Sequence, residues 1–376
     1  MINALSAFVK KEKVFVIAAI AAVISAFFVP PSAEYIGYLN FRVLFILFSL
    51  MTVVAGFKSC NVFTVCANFL CKKMKGLRSI SLSLILCCFF SSMLITNDVA
   101  LITFVPFTLL ILSKLKCEKD AAFIIVLETI AANLGSMLTP LGNPQNLFLY
   151  TQMNINVKDF TLILLPYTVF ALVLLALFTF AIKAVKTEGF AAESDGAAEI
   201  KNIKLKLFIY SVLFVLCILC VLRIIPAGLL AAIIVVCVFF AERKLLLQVD
   251  YMLLLTFCAF FIFSGNIGKI ESIKNFLHFV VDGNEFVTSV ISSQIISNVP
   301  SALLLEPFCM DKKALLLGVN IGGLGTLVAS LASLISYKLY NKSEIAKTSG
   351  KNYMLIFTVM NIIFLALLSV LFVILN

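Results

Sequence analysis

The stretch Ser92-Met93-Leu94-Ile95-Thr96-Asn97-Asp98 lies inside a long apolar run and returns 201 positions later as Ser293-Gln294-Ile295-Ile296-Ser297-Asn298-Val299. The same offset aligns Pro106-Phe107 with Pro307-Phe308, so the match continues past the polar tip. Polar groups inside a membrane cost free energy unless they meet a ligand, an ion or other protein groups. A polar pattern that is used twice therefore predicts one binding site built from two halves.

The composition indicates a lipid bilayer as the setting. Apolar residues make up 62% of the chain, charged residues make up 13%, and the mean hydropathy is +1.13. Several apolar runs reach the roughly 20 residues that a spanning helix needs. The first run ends at Pro30-Pro31 without a small-x-small cleavage pattern, which favours an uncleaved helix over a signal peptide. We expect an all-α polytopic membrane protein.

The net charge of +10 is distributed as short clusters of Lys and Arg between the apolar runs. This distribution is typical of topology determinants and lacks the basic face with interleaved aromatic residues that nucleic-acid binding requires. Nucleic acid is therefore excluded as a partner, and the bilayer is the expected one. The eleven cysteines lack the spacing of a metal site or a disulfide framework, and most are interpreted as small buried side chains. A thiol site for a soft metalloid at Cys87-Cys88 stays open as an alternative.

Nine apolar runs are predicted to cross the membrane as helices. They cover residues 14–29, 40–57, 122–150, 159–183, 207–222, 226–241, 251–266, 314–338 and 353–375. Two further runs, 79–113 and 284–310, carry the polar tips in their middle and are predicted to be re-entrant helical hairpins, because backbone exposed at a break needs water or ligand. The amphipathic stretches 59–75 and 268–282, which precede the hairpins, are expected to lie along the interface.

The basic clusters predict the topology. With the amino terminus inside, nearly all of them fall in cytoplasmic segments, as the positive-inside rule requires. These segments are 1–13, 58–78, 114–121, 184–206, 242–250 and 339–352. The map predicts two inverted repeats, 1–183 and 226–376, joined by a cytoplasmic linker and an extra helix at 184–225. The hairpins then enter from opposite faces, and their tips meet near the middle of the membrane.

A second pair of segments supports the repeat. The segment from Asn133-Leu134-Gly135 to Gly142-Asn143-Pro144 aligns without gaps with Asn320-Ile321-Gly322 to Ala329-Ser330-Leu331, and Asn, Gly and Thr recur in register. Gly and Pro interrupt a helix and free carbonyl oxygens, while Asn and Thr add side-chain oxygens, which suits small hard cations. Close helix packing through small residues is the alternative, above all for Gly135 and Gly322.

Two segments of the first half carry a family resemblance. Thr96-Asn97-Asp98-Val99-Ala100-Leu101-Ile102-Thr103-Phe104, and Ala132-Asn133-Leu134-Gly135-Ser136 with Gly142-Asn143-Pro144-Gln145-Asn146-Leu147, resemble the signature regions of the ion-transporter superfamily. That group includes arsenite and anion permeases, citrate-type and dicarboxylate sodium symporters, and sodium–proton antiporters. The resemblance covers most of the chain through the two repeats. It is specific for the superfamily and does not identify the substrate.

The resemblance implies site residues. In the dicarboxylate symporters, a Ser-Asn-Thr tripeptide at each hairpin tip binds substrate. The matching substrate-binding positions are Thr96, Asn97 and Asp98 in the first tip and Ser297, Asn298 and Val299 in the second, so the third residue departs from the pattern in both. Two cation sites are implied as well, each using a hydroxyl four residues before the tip and carbonyls of the facing broken helix. The first comprises Ser92, Thr96, Asn97, Gly142 and Asn143, and the second comprises Ser293, Ser297, Asn298 and Ala329.

Three acidic residues fall in or near these segments. Asp98 would repel a dianion, and at mid-membrane it should ionise only when paired with a cation, which makes it a candidate carrier of a proton or sodium ion. An alternative is that Asp98 caps the half-helix through its backbone amides. Glu128 either titrates as well or bonds a neighbouring helix. Glu306 is expected at the interface.

These observations predict a secondary active transporter, with no catalytic residue and no cofactor, in a bacterial plasma (inner) membrane with a cytoplasmic amino terminus. The tips would bind a small anion, and sodium or protons would be the coupling ion. A sodium–proton antiporter using Asp98 is the alternative. An intramembrane enzyme is disfavoured because Asp98 is the one well-centred aspartate and the sole histidine, His278, is poorly placed to serve as a base. A passive channel fits an inverted repeat less well. A homodimer is compatible with all of this.

Overall fold

The described part of the chain is helical. The computed structural model describes residues 12–62, 65, 74, 76–185 and 203–376. In these ranges it contains helices and no strand. Six of the described helices are long and apolar enough to cross a membrane, and a seventh crossing results if the bent pair Tyr251–Ile267 and Glu271–Val281 counts as one. The chain is an integral membrane protein, as the composition predicts.

We number the described α-helices in chain order. They are α1 Lys13–Phe28, α2 Glu34–Tyr38, α3 Phe41–Ser59, α4 Leu77–Ile95, α5 Asn97–Lys114, α6 Ala121–Ser136, α7 Pro144–Met153, α8 Val157–Phe178, α9 Ile203–Val221, α10 Ala227–Glu242, α11 Tyr251–Ile267, α12 Glu271–Val281, α13 Glu285–Ile296, α14 Asn298–Leu305, α15 Lys312–Ile321, α16 Leu331–Lys342, α17 Glu344–Thr348 and α18 Tyr353–Leu375. Short 3₁₀ turns occupy Glu118–Asp120, Thr179–Ala181, Arg243–Gln248 and Glu306–Phe308.

Several helices start where the sequence supplies a capping side chain. In each case an Asn or Asp oxygen accepts a hydrogen bond from a backbone amide of the first turn, which satisfies a donor that has no partner within the helix. The capping residues are Asn40, Asn143, Asn156, Asp250, Asp311 and Asn352. Helix starts are therefore encoded locally even where the flanking sequence is almost wholly apolar.

Two of the predicted crossings, 122–150 and 314–338, are broken rather than continuous. The first consists of α6 and α7, and the second consists of α15 and α16. In the first break, Gly142 packs so tightly that a Cβ atom there would lie 2.0 Å from the Ser136 carbonyl oxygen. Asn143 then caps α7, and Pro144 takes its first helical position, where a missing N–H costs nothing. The break is thus built from residues that cannot continue a regular helix.

The two predicted hairpins are each a pair of helices that meet at a single residue. Helices α4 and α5 meet at Thr96, α13 and α14 meet at Ser297, and the two helices of each pair pack against each other. Both junction residues have a positive φ, 69° at Thr96 and 76° at Ser297. The arms of the first pair are 19 and 18 residues long and those of the second are 12 and 8. The tips match although the arms differ in length.

Each hairpin packs on both broken helices. In the first hairpin, α4 packs on α6 and α5 packs on α16. In the second hairpin, α13 packs on α15 and α14 packs on α7. One arm of each hairpin therefore contacts the broken helix of its own half, and the other arm contacts the broken helix of the opposite half. This arrangement brings the two hairpin tips and the two helix breaks together in one region.

The predicted interfacial stretches, the linker and the extra helix are described only in part. The predicted interfacial stretch 268–282 contains α12, which is bent by 102° from α11. The first interfacial stretch, 59–75, and the cytoplasmic linker within 184–206 lie largely outside the described residues. The predicted extra helix at 207–222 corresponds to α9, which begins earlier, at Ile203.

Candidate functional site

The first tip is joined to the break between α6 and α7 by its backbone. The Asn97 amide donates to the Gly142 carbonyl oxygen over 3.2 Å. The Asn97 side-chain oxygen accepts from the Asp98 amide at 2.9 Å, and the Thr139 hydroxyl donates to the Met93 carbonyl oxygen. The structure therefore brings together Asn97 and Gly142, two of the residues predicted for the first cation site.

The second tip makes the same contacts. The Asn298 amide donates to the Ala329 carbonyl oxygen over 3.0 Å. The Asn298 side-chain oxygen accepts from the Val299 amide at 2.9 Å, and the Ser297 hydroxyl donates to the Ala329 carbonyl oxygen at 3.3 Å. Ser297, Asn298 and Ala329 of the predicted second cation site therefore lie together. The Gly142 carbonyl oxygen keeps a second lone pair that can accept another donor or a cation, whereas the Ala329 carbonyl oxygen already accepts two donors, from Asn298 and Ser297.

A reciprocal set of hydrogen bonds joins the two halves beneath the tips. The Asn133 side-chain oxygen accepts from the Ser330 hydroxyl at 3.0 Å, and its amide group donates to the Ser333 hydroxyl at 3.4 Å. In the opposite half, the Asn320 oxygen accepts from Asn143 at 3.3 Å, and the Asn320 amide group donates to Asn146 at 2.7 Å. Asn133 and Asn320 occupy equivalent positions of the second matched segment, as do Asn143 and Ser330.

Two glycines bring the hairpins into backbone contact with the broken helices. A Cβ atom on Gly135 would lie 2.2 Å from the Phe89 carbonyl oxygen and 2.8 Å from the Ser92 hydroxyl oxygen. A Cβ atom on Gly322 would lie 2.9 Å from the Val290 Cα and 3.0 Å from the Ser293 Cβ. The close-packing alternative thus describes both glycines, because any larger residue would push the hairpin away.

The hydroxyls four residues before the tips are used within their own helices. Ser92 donates to the Phe89 carbonyl oxygen at 2.8 Å, and Ser293 donates to the Ser289 carbonyl oxygen at 2.7 Å. Both serines are fully buried against the facing glycine. Their oxygens retain acceptor capacity, so a role as cation ligands stays a prediction.

A cavity of about 310 Å³ reaches the first tip. Its inner wall includes Thr96, Asp98 and Asn143, and its outer part includes the exposed residues Lys58 and Asp250. Among the described residues that line this cavity there is none of the second tip, whose Ser297, Asn298 and Val299 are buried. The two tips, although alike in their backbone contacts, therefore differ in access.

The capping alternative for Asp98 is wrong for this structure. The side chain that accepts a first-turn amide is that of Asn97, and Asp98 supplies the amide. The Asp98 carboxylate is half-buried and faces the cavity instead. Glu306, predicted at the interface, is buried and pairs with Lys312 at 2.6 Å.

Several residues of the region were not singled out from the sequence. They are Ser330, Ser333, Asn146, Lys58, Gln248 and Asp250. Ser330 lies within the second matched segment, and Asn146 and Ser333 are equivalent polar positions just past its quoted end, so these three residues carry a signal in the sequence. Lys58, Gln248 and Asp250 lie outside both matched segments, so no pattern pointed to them.

Two of the known proteins that this chain resembles match it along most of its length, and a third matches a shorter part. An uncharacterized transporter of Methanocaldococcus jannaschii is 34% identical over 311 residues, which cover 82% of this chain and 83% of that protein. The inner membrane protein YbiR of Escherichia coli is 29% identical over 334 residues, 85% of this chain and 86% of that protein. The silicon efflux transporter LSI3 of Oryza sativa subsp. japonica is 28% identical over 149 residues, 39% of this chain and 30% of that protein.

The family assignment agrees with the resemblance seen in the tips and the breaks. The sequence model of a family described as citrate transporter, CitMHS, matches residues 1–313, which include both matched tips and the first broken helix. The family is one of transporters rather than enzymes, and the Methanocaldococcus and Oryza relatives are named as transporters. The chain therefore belongs to the CitMHS citrate transporter family within the ion-transporter superfamily.

Proposed function

We propose that this protein is a secondary active transporter that binds a small anion between its two hairpin tips and couples its movement to sodium ions or protons. The observation that carries the proposal is the matched pair of bonds from Asn97 to Gly142 and from Asn298 to Ala329. Two tips held in the same way against two breaks, and linked through Asn133 and Ser330, form one composite region. Discontinuous helices that meet in this manner are typical of transporter binding sites.

The proposal includes two inverted repeats in the membrane. The reciprocal bonds of Asn133 and Asn320 support it, because a two-fold relationship between the halves makes each contact occur twice. The distribution of Lys and Arg supports opposite orientations of the repeats and a cytoplasmic amino terminus. The similarity to an inner membrane protein of Escherichia coli supports residence in the bacterial plasma membrane. The two hairpins would then be re-entrant and enter from opposite faces.

The tips offer positive helix ends and side-chain amides to an anion. Helices α5 and α14 both begin at a tip, where the helix macrodipole is positive. In this structure the Asn97 and Asn298 oxygens accept the amides of Asp98 and Val299. Rotation of either asparagine side chain would present its NH₂ group and release that backbone amide to a bound anion. The asparagines are therefore the residues whose loss should matter most.

The one-sided cavity supports alternating access. It leads from the first tip to Lys58 and Asp250, at the end of the molecule whose basic residues predict the cytoplasmic face. The second tip is buried. We infer that this conformation opens inward, and that transport requires the opposite state, in which the second tip is reached from the other face. Asp98 in the wall disfavours a dianion, so the substrate is a solute of low negative charge.

The test is uptake into proteoliposomes with the variants Asn97→Ala and Asn298→Ala. A panel of radiolabelled anions is offered under an inward sodium gradient or an inward proton gradient. Either substitution should abolish uptake while thermal unfolding still reports a folded protein, and Asn284→Ala, an exposed residue whose side chain does not cap its helix, should transport normally. Normal uptake by both tip variants would refute the site.

A sodium–proton antiporter is the second candidate, and the two carboxylates of the cavity favour it. Asp98 and Asp250 both line the wall, against one Lys58. Carboxylate oxygens suit a small hard cation, and no anion would then be carried. Sodium-driven proton flux in vesicles that contain no permeant anion separates the candidates. Such flux, lost in Asp98→Asn, would establish antiport, whereas flux that depends on an added anion supports the first proposal.

A further inference from the structure

Glu128 is a carboxylic acid at the centre of the helical core. It lies on α6, is fully buried, and accepts a hydrogen bond from the Thr108 hydroxyl through Oε1. Its second oxygen, Oε2, is buried as well and has no hydrogen-bond partner. Thr108 is fully buried on α5, so the contact joins a hairpin arm to a broken helix. Neither residue belongs to the tip site.

The other buried acids among the described residues are compensated. Glu306 forms an ion pair with Lys312 at 2.6 Å, and Glu285 accepts the Asp311 backbone amide at 3.2 Å. Glu128 has neither a cationic partner nor a backbone donor in the part of the chain that the structure describes. An ionised carboxylate with one neutral donor and one bare oxygen is strongly disfavoured in such a place, whereas the neutral acid needs no counter-ion.

The side chains that face Glu128 do not include a base or a cation that could take its proton or balance its charge. Of the ionisable groups on the elements packed against α6, those that interact with Glu128 are the Cys88 thiol of α4 and the Tyr353 phenol of α18. Both are buried and are neutral in their protonated forms. Thr108 of α5 adds a hydroxyl. A proton on Oε2 is the remaining way to keep this position uncharged.

We propose that Glu128 is a proton-binding site, separate from the tip site, and that binding of the proton controls the packing of α5 against α6. Water at the accessible face delivers the proton, which forms an O–H bond on Oε2 and returns to water when the site opens. The role of this proton in coupling rests on the proposed transport function, with the proton as a coupling ion. That Glu128 carries a proton does not depend on the transport function, because it follows from the burial of the acid.

The contact between α5 and α6 connects the proton site to the first tip. Helix α5 begins with Asn97, and α6 carries Asn133, five residues beyond Glu128. The Asn133 side-chain oxygen accepts a hydrogen bond from the Asn97 side-chain NH₂ group. Loss of the proton leaves a bare carboxylate between the two helices. That charge requires water or a cation, and neither can reach it while α5 and α6 are packed together. Deprotonation should therefore separate the hairpin arm from the broken helix.

A group of three buried hydroxyls lies on the elements next to Glu128. Thr129, next to Glu128, donates to Ser336 at 2.8 Å, and Ser336 is 3.1 Å from the Tyr353 hydroxyl. Tyr353 is the first residue of α18 and follows the exposed Lys351 and Asn352. The three hydroxyls extend from the residue beside Glu128 in the chain toward the end of the molecule where α18 begins, and among the described residues no hydrogen bond joins them to the Glu128 carboxyl.

Infrared spectroscopy of the full chain in phospholipid nanodiscs tests the proton itself. A protonated carboxyl gives a C=O stretching band that is separate from the amide and carboxylate bands. We expect such a band at neutral pH in the wild type, its loss in Glu128→Gln, and its retention in Glu306→Gln, the matched ion-paired control. Thr108→Val, which keeps the acid but removes its donor, should raise the frequency of the band. A wild-type spectrum that Glu128→Gln and Thr108→Val both leave unchanged would overturn the proposal.

Hydrogen–deuterium exchange tests the coupling without any transported solute. Across the pH range in which the band disappears, amide exchange of α5 and α6, corrected for its intrinsic pH dependence, should rise several-fold in the wild type and stay constant in Glu128→Gln. An exchange rate of α5 and α6 that does not change across the pH range in which the band disappears would overturn the coupling role. Because neither readout uses uptake, normal uptake by Asn97→Ala and Asn298→Ala would refute the tip site alone.

Discussion

Asn97 donates a hydrogen bond of 3.0 Å to the side-chain oxygen of Asn133, and that same oxygen accepts a second bond from Ser330 of the other half. The first tip is thereby linked to the second broken helix through one atom. The neighbouring residue Ala329 in turn accepts the backbone amide of the second tip, at Asn298. A short chain of bonds therefore connects the two tips, and displacement of one half is transmitted to the other.

Asn133→Ala should lower the free energy of unfolding by about 1–3 kcal/mol, because the buried groups of Asn97 and Ser330 lose their partner. Asn320→Ala should cost a similar amount by removing the partner of Asn143 and Asn146. Chemical unfolding in detergent measures both. The exposed control Asn284→Ala should stay within about 0.5 kcal/mol of the wild type. A loss in Asn133→Ala no larger than in this control would contradict the network.

Gly135→Ala and Gly322→Ala should each destabilise the protein by about 1–3 kcal/mol, since the new methyl group would overlap the facing hairpin. Gly228→Ala on α10 is the matched control, because its nearest neighbour would be the Phe45 ring at 3.9 Å. Gly228 lies in the first turn of α10, where an added methyl group meets no close neighbour, so the control should be neutral or slightly more stable. Thermal unfolding distinguishes them, and equal behaviour of all three variants would exclude the close approach.

Thr96→Gly should stabilise the protein and impair transport. Thr96 has φ 69° and ψ 147°, a region that only glycine adopts without strain. Relief of that strain, less the entropy that glycine loses on folding, should raise the free energy of unfolding by about 1 kcal/mol. Uptake should fall because the hydroxyl at the tip is removed, and Thr96→Ser should retain it. In Thr103→Gly, within regular helix, stability should instead fall by about 1 kcal/mol. A decrease in Thr96→Gly would show that the tip is not strained.

Ile102→Trp should block uptake without unfolding the protein. Ile102 is 37% exposed and faces the cavity of about 310 Å³ that leads to the first tip, so the larger side chain would fill the path. Leu110→Trp lies on the same helix at a site that is 51% exposed and outside the cavity lining, and it should transport normally. Uptake and thermal unfolding are measured for both. Full activity of Ile102→Trp would mean that the substrate does not use this cavity.

Local chemistry made much of the architecture predictable. The tips at Thr96 and Ser297 carry polar residues within long apolar runs, and such an interruption can be recognised directly in the sequence. The break at Gly142-Asn143-Pro144 combines residues that each resist a helix interior. The predicted crossing at 122–150 was nevertheless drawn as one span, because average hydropathy stays high across a break of a few residues. The equivalent break before Leu331 has no proline, and its glycines Gly322, Gly323 and Gly325 and its alignment with the first half point to it.

Side-chain partners were less predictable. The sequence offers Asp98 as a helix cap, yet Asn97 supplies the accepting oxygen and Asp98 faces the cavity. This choice depends on the backbone angles at Thr96, which orient the first turn against Gly142. Lys58 and Asp250 come from segments without any repeat signal, so their convergence on the same cavity depends on how α3 and α11 pack.

The sequence by itself determined the membrane setting, the helical class and the two polar interruptions, because apolar length and the backbone preferences of Gly, Pro and Asn act over a few residues. The tertiary structure alone decided which polar groups meet: Asn133 with Ser330, Asn320 with Asn146, and Glu128 with Thr108. It also decided that the first tip borders a cavity while the second is buried. These outcomes depend on the relative placement of helices that are far apart in the chain, and two halves with matching motifs can be packed in more than one way.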